Sequence, residues 1–150
     1  MAYQLRGKNF DQFSVGDEFY TASRTITEAD VVTFAGLSGD YNPLHTDQVF
    51  MEKSAFGGRI AHGALILSVA TGLANQLGIF EGTTIAVLEM VTRFTGAVKM
   101  GDTIRLVLTI TDKKESKKPD RGVVNVGIKV LNQADQPVLE GSWAVMLVRG

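Results

Sequence analysis

Residues 63–77 read GALILSVATGLANQL, and this stretch decides the fold. Its apolar residues leave no polar face when they are placed at helical spacing, and a helix that is apolar nearly all round is buried on most sides. The surrounding apolar run, residues 61–77, is interrupted by His62, Ser68 and Asn75 and is short for a membrane span. We therefore predict a buried central helix and no association with a membrane.

Strand patterns lie on both sides of this helix. The run Glu18 to Ile26 is rich in aromatic and β-branched residues and predicts one early strand. Four later strands, joined as a meander, are predicted at residues 83–94, 103–112, 123–131 and 138–148. The second of these alternates strictly, because Ile104, Leu106, Leu108 and Ile110 share one face. An antiparallel sheet curled around the helix, an α+β arrangement, would bury that face.

The first half of the chain carries signals for short helices. Thr27 is a suitable N-cap, and Asp30, three residues on, gives a weaker form of the capping box. Gly39 is expected to end this helix. A second short helix is predicted from a cap at Asp47 to Lys53.

Composition limits the class of protein. The 150 residues fit a single domain, 1–150, in which residues 1–12 form a lead-in. The chain has no cysteine, which excludes disulfides and thiolate zinc sites and favours a cytoplasmic location. A formal net charge of -1 gives no general attraction to nucleic acid. Because open sheet edges promote association, we expect a homodimer or a larger homo-oligomer of dimers.

The stretch 39–47, GDYNPLHTD, is the main candidate for chemistry. Pro43 lacks a backbone donor and pushes Asn42 toward an extended conformation, so the segment is not expected to form a regular helix. The resulting bend can aim the carboxylate of Asp40 and the imidazole of His45 at one point. Such a pair could hold a water molecule and move its proton.

A second loop, GGRIAHG at residues 57–63, leads into the buried helix. The unpaired N–H groups and positive dipole end of a helix N-terminus suit a developing oxyanion. His62 is interpreted as structural, tying the two loops together through a ring hydrogen bond, and it is also counted among the substrate-binding candidates. Arg59 is a candidate for contact with the phosphates of a carrier, and Asn42 is a further substrate-binding candidate. For Thr71, on the helix, the residues alone favour a hydroxyl bonded back to its own helix.

Other chemistries fit less well. A calcium loop starting at Asp40 would place Leu44 at an oxygen-ligand position and His45 at the position of the turn glycine. The two histidines are separated in sequence without metal-ligand spacing, so no metal site is predicted. The sequence has no serine-hydrolase elbow, no P-loop and no dinucleotide fingerprint.

The loop GDYNPLHTD, followed by Ala61-His62-Gly63 at the head of an apolar helix, resembles the MaoC-like (R)-specific enoyl-CoA hydratase family. The resemblance extends from about Phe13 to Val148. It implies the hot-dog fold, in which an antiparallel sheet wraps around one helix. It also implies that Asp40 and His45 are catalytic, that the N–H of Gly63 binds the thioester oxygen, and that Thr71 lies near the active site.

The implied activity is reversible hydration of trans-2-enoyl thioesters to (R)-3-hydroxyacyl thioesters, with coenzyme A or acyl carrier protein as part of the substrate and no cofactor. Three alternatives stay open: a (3R)-hydroxyacyl-carrier-protein dehydratase of fatty acid synthesis, a hot-dog acyl-CoA thioesterase and a non-catalytic assembly subunit. The thioesterase would need a carboxylate on the central helix, which has no Asp or Glu at residues 63–77. The acyl chain length, the carrier and the division of acid and base roles are left undecided.

Overall fold

The computed structural model describes residues 1–150 and contains four α-helices and six strands. A 3₁₀ turn at Phe10–Gln12 precedes them. The helices are α1 (Glu28–Ser38), α2 (Pro43–Thr46), α3 (Gln48–Glu52) and α4 (Gly63–Gln76). The strands are β1 (Glu18–Tyr20), β2 (Arg24–Thr25), β3 (Thr84–Phe94), β4 (Thr103–Glu115), β5 (Arg121–Leu131) and β6 (Pro137–Val148).

The four long strands and the short β1 form one antiparallel sheet in the order β1-β4-β5-β6-β3, and β2 pairs separately with β4. The alternation predicted for β4 is confirmed, since Ile104, Leu106, Leu108 and Ile110 are all buried. They share a hydrophobic core with residues of α4, among them Leu73. The sheet therefore packs its inner face on the central helix, and the predicted α+β architecture is confirmed.

The predicted meander of four strands is wrong in one respect, because β3 pairs with β6 and not with β4. Residues 95–102 join β3 to β4, and this connection is longer than the loops of most β-hairpins. It passes the start of α4, where the N–H of Ala61 donates to the carbonyl of Val98 at 2.7 Å, and Val98 is buried. The crossing leaves β3 at one edge of the sheet.

Two further predictions need correction. The early strand is interrupted and forms β1 and β2, which both pair with β4. The central helix is predicted to have no polar face, but six of its positions, all of them small or polar, are exposed within one chain. Its exposed positions are Ala64, Ser68, Thr71, Gly72, Asn75 and Gln76. This face of α4 consists of small or polar side chains, so its exposure costs less than exposing leucines would.

The predicted caps are confirmed. Asp30 N–H donates to the hydroxyl of Thr27, and Thr27 N–H donates to the carboxylate of Asp30, which completes a capping box. Helix α1 ends at Gly39, whose φ of 76° is left-handed. Asp47 accepts from the N–H of Phe50 and caps α3. None of the helices has both the length and the apolar character that crossing a membrane requires.

Candidate active site

Two side chains fix the bend between α1 and α2 by accepting hydrogen bonds from backbone N–H groups. Asp40 Oδ1 accepts from the N–H of Asn42 at 3.1 Å, and Asn42 Oδ1 accepts from the N–H of Leu44 at 3.0 Å. As predicted, the segment 39–47 does not form one regular helix, but Pro43 begins the single-turn helix α2 within it. Proline is tolerated there because the first N–H of a helix has no intrahelical acceptor.

His45 lies on α2 and is buried. Its Nδ1 is 2.7 Å from the carbonyl oxygen of Ile60, and a carbonyl can only accept, so Nδ1 carries a hydrogen. In the neutral ring, Nε2 then has a free lone pair. This Nε2 lies 3.8 Å from Oδ2 of Asp40, whose side chain is about half exposed. The structure thus brings together the two residues that the sequence pairs.

His62 joins the two loops, as predicted from the sequence. Its Nε2 donates to the backbone carbonyl of Asp40 at 2.9 Å. Its ring also stacks on that of His45, with centroids 3.7 Å apart and planes 25° apart, and the edge of Phe34 meets it at 4.9 Å. His62 is 2% exposed. The sequence separation of the two histidines gives no hint of this stack.

The stack also bears on metal binding. One ligand atom each from Asp40, His45 and His62 lies within 4.8 Å of the others, so the sequence argument from distant histidines does not hold in three dimensions. Nitrogen lone pairs lie in the ring planes, however, and the planes of these two rings are nearly parallel. Tetrahedral zinc requires lone pairs that converge on one point. The absence of a metal site stays a prediction.

Gly63 is the first residue of α4, so its N–H has no acceptor within the helix. The ring of Phe94, at the end of β3, lies directly against it: a Cβ at position 63 would be 2.5–2.9 Å from three ring carbons. Only a glycine permits this approach. Phe94 could not be predicted as a site residue, because nothing in the strand pattern of β3 indicates which loop its last residue contacts.

Gly63 and His45 line the same cavity of about 360 Å³. Its other lining residues are mostly apolar: Leu44, Ile60, Ala61, Ala64, Ile66, Phe94, Gly96, Ala97, Val98 and Val138. A helix N-terminus and a hydrogen-bonding imidazole therefore face one apolar space. This arrangement suits a ligand with a polar head and an apolar body.

The remaining predicted site residues have local partners. Thr71 donates to the carbonyl of Ser68 at 2.6 Å, as the sequence alone favours, and it also lines a second cavity of about 340 Å³. Arg59 pairs with Glu28 at 2.9 Å and Gln48 at 3.1 Å, while Asn42 caps α2. Substrate contacts stay predictions for all four candidates: Asn42, Arg59, His62 and Thr71.

Comparisons with known proteins identify the relatives of this chain. Residues 11–132 match the family model described as MaoC like domain. Protein MaoC of Klebsiella aerogenes is 41% identical over 106 residues, which cover 71% of this chain and 31% of that protein. The chain thus spans about a third of that relative. An (R)-specific enoyl-CoA hydratase of Rhodospirillum rubrum is 33% identical over 83% of this chain and 82% of its own length.

Solved structures agree with the fold. A protein of Archaeoglobus fulgidus described as a monoamine oxidase regulatory protein is 33% identical, with a TM-score of 0.91 over 99% of both chains. A Mycobacterium tuberculosis protein with a double hot-dog fold has a TM-score of 0.85 at 22% identity, over 96% of this chain and 45% of that one. The sheet and central helix therefore form a hot-dog fold.

Proposed function

The chain belongs to the MaoC-like domain family, and from this membership we propose that it catalyses the reversible hydration of trans-2-enoyl thioesters to (R)-3-hydroxyacyl thioesters. Relatives named as enoyl-CoA hydratases and hydroxyacyl-thioester dehydratases support a hydro-lyase at the level of the family. The observation that carries the specific proposal is the 3.8 Å gap between Asp40 Oδ2 and His45 Nε2, beside a cavity shared by His45 and Gly63.

Asp40 and His45 act on the water that adds to the double bond. A carboxylate and the lone pair of Nε2 are both acceptors, so one water can donate a hydrogen to each across the 3.8 Å gap. Its oxygen lone pair is then free to attack the β-carbon. The pair takes one proton from this water and returns a proton to the α-carbon, so the two residues act as a unit.

Gly63 supplies the electrostatic part of the reaction. Attack at the β-carbon moves charge onto the thioester oxygen, which becomes enolate-like. The free N–H of Gly63 and the dipole of α4 stabilise that charge. No electrons are transferred between redox partners, so the reaction calls for no redox cofactor, and the carrier enters as part of the substrate.

The three alternatives make different demands on this site. Dehydration of a (3R)-hydroxyacyl group on acyl carrier protein is the reverse reaction on another carrier, and the same three groups would perform it. A thioesterase would need a carboxylate to activate water against the carbonyl, and α4 has none. A non-catalytic assembly subunit would have no need of the paired Asp40 and His45.

We further propose that two copies associate along β3 to form the expected homodimer. This strand lies at the sheet edge, and many of its large apolar side chains are exposed: Ile85, Val87, Leu88, Met90, Val91 and Phe94. A second copy would pair with the free edge and cover both this surface and the exposed face of α4. Phe94 places the active-site cavity beside the same edge.

The activity is tested by following the enoyl-thioester absorbance of crotonyl-CoA with purified wild type and Asp40→Asn. Rapid loss in the wild type that is absent in the variant supports hydration, and chiral analysis of the product tests (R) selectivity. Release of free thiol would favour the thioesterase. No hydration of short or long enoyl thioesters, on coenzyme A or carrier protein, would contradict the proposal.

A further inference from the structure

His62 contacts the backbone carbonyl of Asp40 and the ring of His45, but it does not line the cavity beside this proposed catalytic pair. We propose that His62 is a positioning residue, whose imidazole holds the backbone of Asp40 and the ring of His45 so that both side chains reach one water. This inference rests on the proposed hydratase function. It assigns to His62 a role in turnover beyond tying two loops together.

The first contact fixes Asp40. Its side chain is about half exposed, and its carboxylate accepts from the N–H of Asn42 within the same loop. The bond from His62 Nε2 to the carbonyl of Asp40 is the one that ties this residue to the start of α4. Because Gly63 follows His62 directly, the same bond fixes the distance between the acid/base pair and the oxyanion donor.

The second contact fixes His45. One of its faces packs on the ring of His62 at 3.7 Å, while its Nδ1 is bonded to the carbonyl of Ile60. The bond sets which way the ring points, and the stack sets its tilt. Together they direct the lone pair of Nε2 toward the carboxylate of Asp40.

The unused nitrogen of His62 argues that this ring is more than a packing element. With Nε2 donating, Nδ1 is a buried acceptor, and it has no hydrogen-bond partner. An unpartnered buried polar atom costs free energy that a leucine or phenylalanine at this position would avoid. A ring that both stacks and donates explains why a histidine is placed there.

Three substitutions separate the two contacts. His62→Gln keeps a donor at similar reach and loses the ring, His62→Phe keeps a stacking ring and loses the donor, and His62→Leu loses both. We expect kcat to fall about 10²-fold in the Leu variant, because small displacements of catalytic groups have effects of this size, and about tenfold in the Phe variant, which loses only one of the two contacts. His62→Gln should stay within about tenfold of wild type, and KM should change less than about threefold in all three.

Thermal unfolding shows which variants fold. A folded Leu variant with wild-type kcat, or a folded Gln variant as impaired as Leu, would overturn the inference. If Phe and Leu do not fold, the comparison of Gln with wild type still decides, since a loss well beyond tenfold contradicts the hydrogen-bond role.

A measurement independent of activity separates this inference from the proposed function. The ¹³C shift of the Asp40 carbonyl and the ring-proton shifts of His45 report the bond and the stack directly. Both should move in His62→Leu, and the carbonyl shift should be retained in His62→Gln. If the wild type hydrates no enoyl thioester, the proposed function fails. Unchanged shifts in a folded His62→Leu variant would overturn the positioning role.

Discussion

Nε2 of His45 lies 3.8 Å from Oδ2 of Asp40, which is longer than a direct charge-assisted hydrogen bond and suits one bridging water. The spacing results from the local fold. Asp40 lies just after the glycine that ends α1, and His45 lies on the single turn that begins at Pro43. The carboxylate of Asp40 and Nε2 of His45 therefore come from separate elements, and both can accept a hydrogen bond from the same water.

Asp40→Asn should lower kcat by about 10²–10⁴-fold without unfolding the protein, because the lost group moves a proton in the transition state. His45→Ala should behave similarly. Since both residues act on one water, the double variant should be little slower than the worse single variant. Rates on crotonyl-CoA test this, and multiplied losses would contradict a shared water. Asp47→Asn, which keeps an acceptor for the cap of α3, should remain near wild type.

The capping box of α1 should make stability depend on pH. Hydrogen bonds from the backbone and hydroxyl of Thr27, with the charge of Arg24, hold the pKa of Asp30 below its ordinary value near 4. A depressed folded-state pKa means that the stabilisation is complete above the unfolded-state pKa and is lost as pH falls through the folded-state value. Asp30→Ala should therefore cost about 1 kcal/mol of unfolding free energy at pH 7.

Urea unfolding of wild type and Asp30→Ala at pH 7 and at about pH 3 measures this difference. The gap between the two proteins should narrow at the lower pH, where the carboxylate of the wild type begins to be protonated. An equal gap at both pH values would show that the charge of Asp30 contributes nothing to the cap.

Signals that depend on neighbouring residues were sufficient to predict the caps, the central helix and the face of β4. The hydrogen bond between Thr27 and Asp30 joins residues three positions apart, and the alternation from Ile104 to Ile110 is visible within seven residues. The motif containing Asp40 and His45 is equally local. These features depend on residues close in sequence and agree with the overall fold, so their sequence patterns predict the local structure correctly.

Features that depend on distant pairing could not be predicted. The position of β3 beside β6 is determined by where residues 95–102 cross the start of α4, and no local pattern encodes that path. The stack of His62 on His45 and the contact of Phe94 with Gly63 likewise join segments that are far apart in sequence. The exposed face of α4 could not be predicted, because its small residues are compatible both with a helix buried within one chain and with a helix covered by a second copy.

Val91→Lys should weaken dimerisation, because a charge on an exposed sheet edge opposes strand pairing. Val32→Lys is the matched control, since Val32 is also exposed but lies on α1. Light scattering after size-exclusion chromatography should give a dimer for wild type and Val32→Lys and a smaller mass for Val91→Lys. A monomeric wild type, or a Val91→Lys variant that assembles normally, would contradict pairing along β3.

Gly63→Pro and Gly63→Ala together isolate the contribution of one N–H group. Proline is compatible with the first position of a helix, and the preceding residue, with ψ of 133°, already has the extended backbone that proline favours. Both substitutions add a Cβ that displaces the ring of Phe94. Proline additionally removes the N–H, so Gly63→Pro should have a kcat about 10²–10³-fold below that of Gly63→Ala.

Gly63→Pro and Gly63→Ala should also be compared in a Phe94→Ala background. This background removes the clash with the added Cβ, because the ring carbons that a Cβ at position 63 would meet are then absent. The ratio between the alanine and proline variants should survive in this background, while Gly63→Ala itself recovers part of its activity. Thermal unfolding of all four proteins is needed, since a loss of fold would also abolish turnover. Equal kcat values for folded proline and alanine variants would show that the thioester oxygen is stabilised by some group other than the N–H at the head of α4.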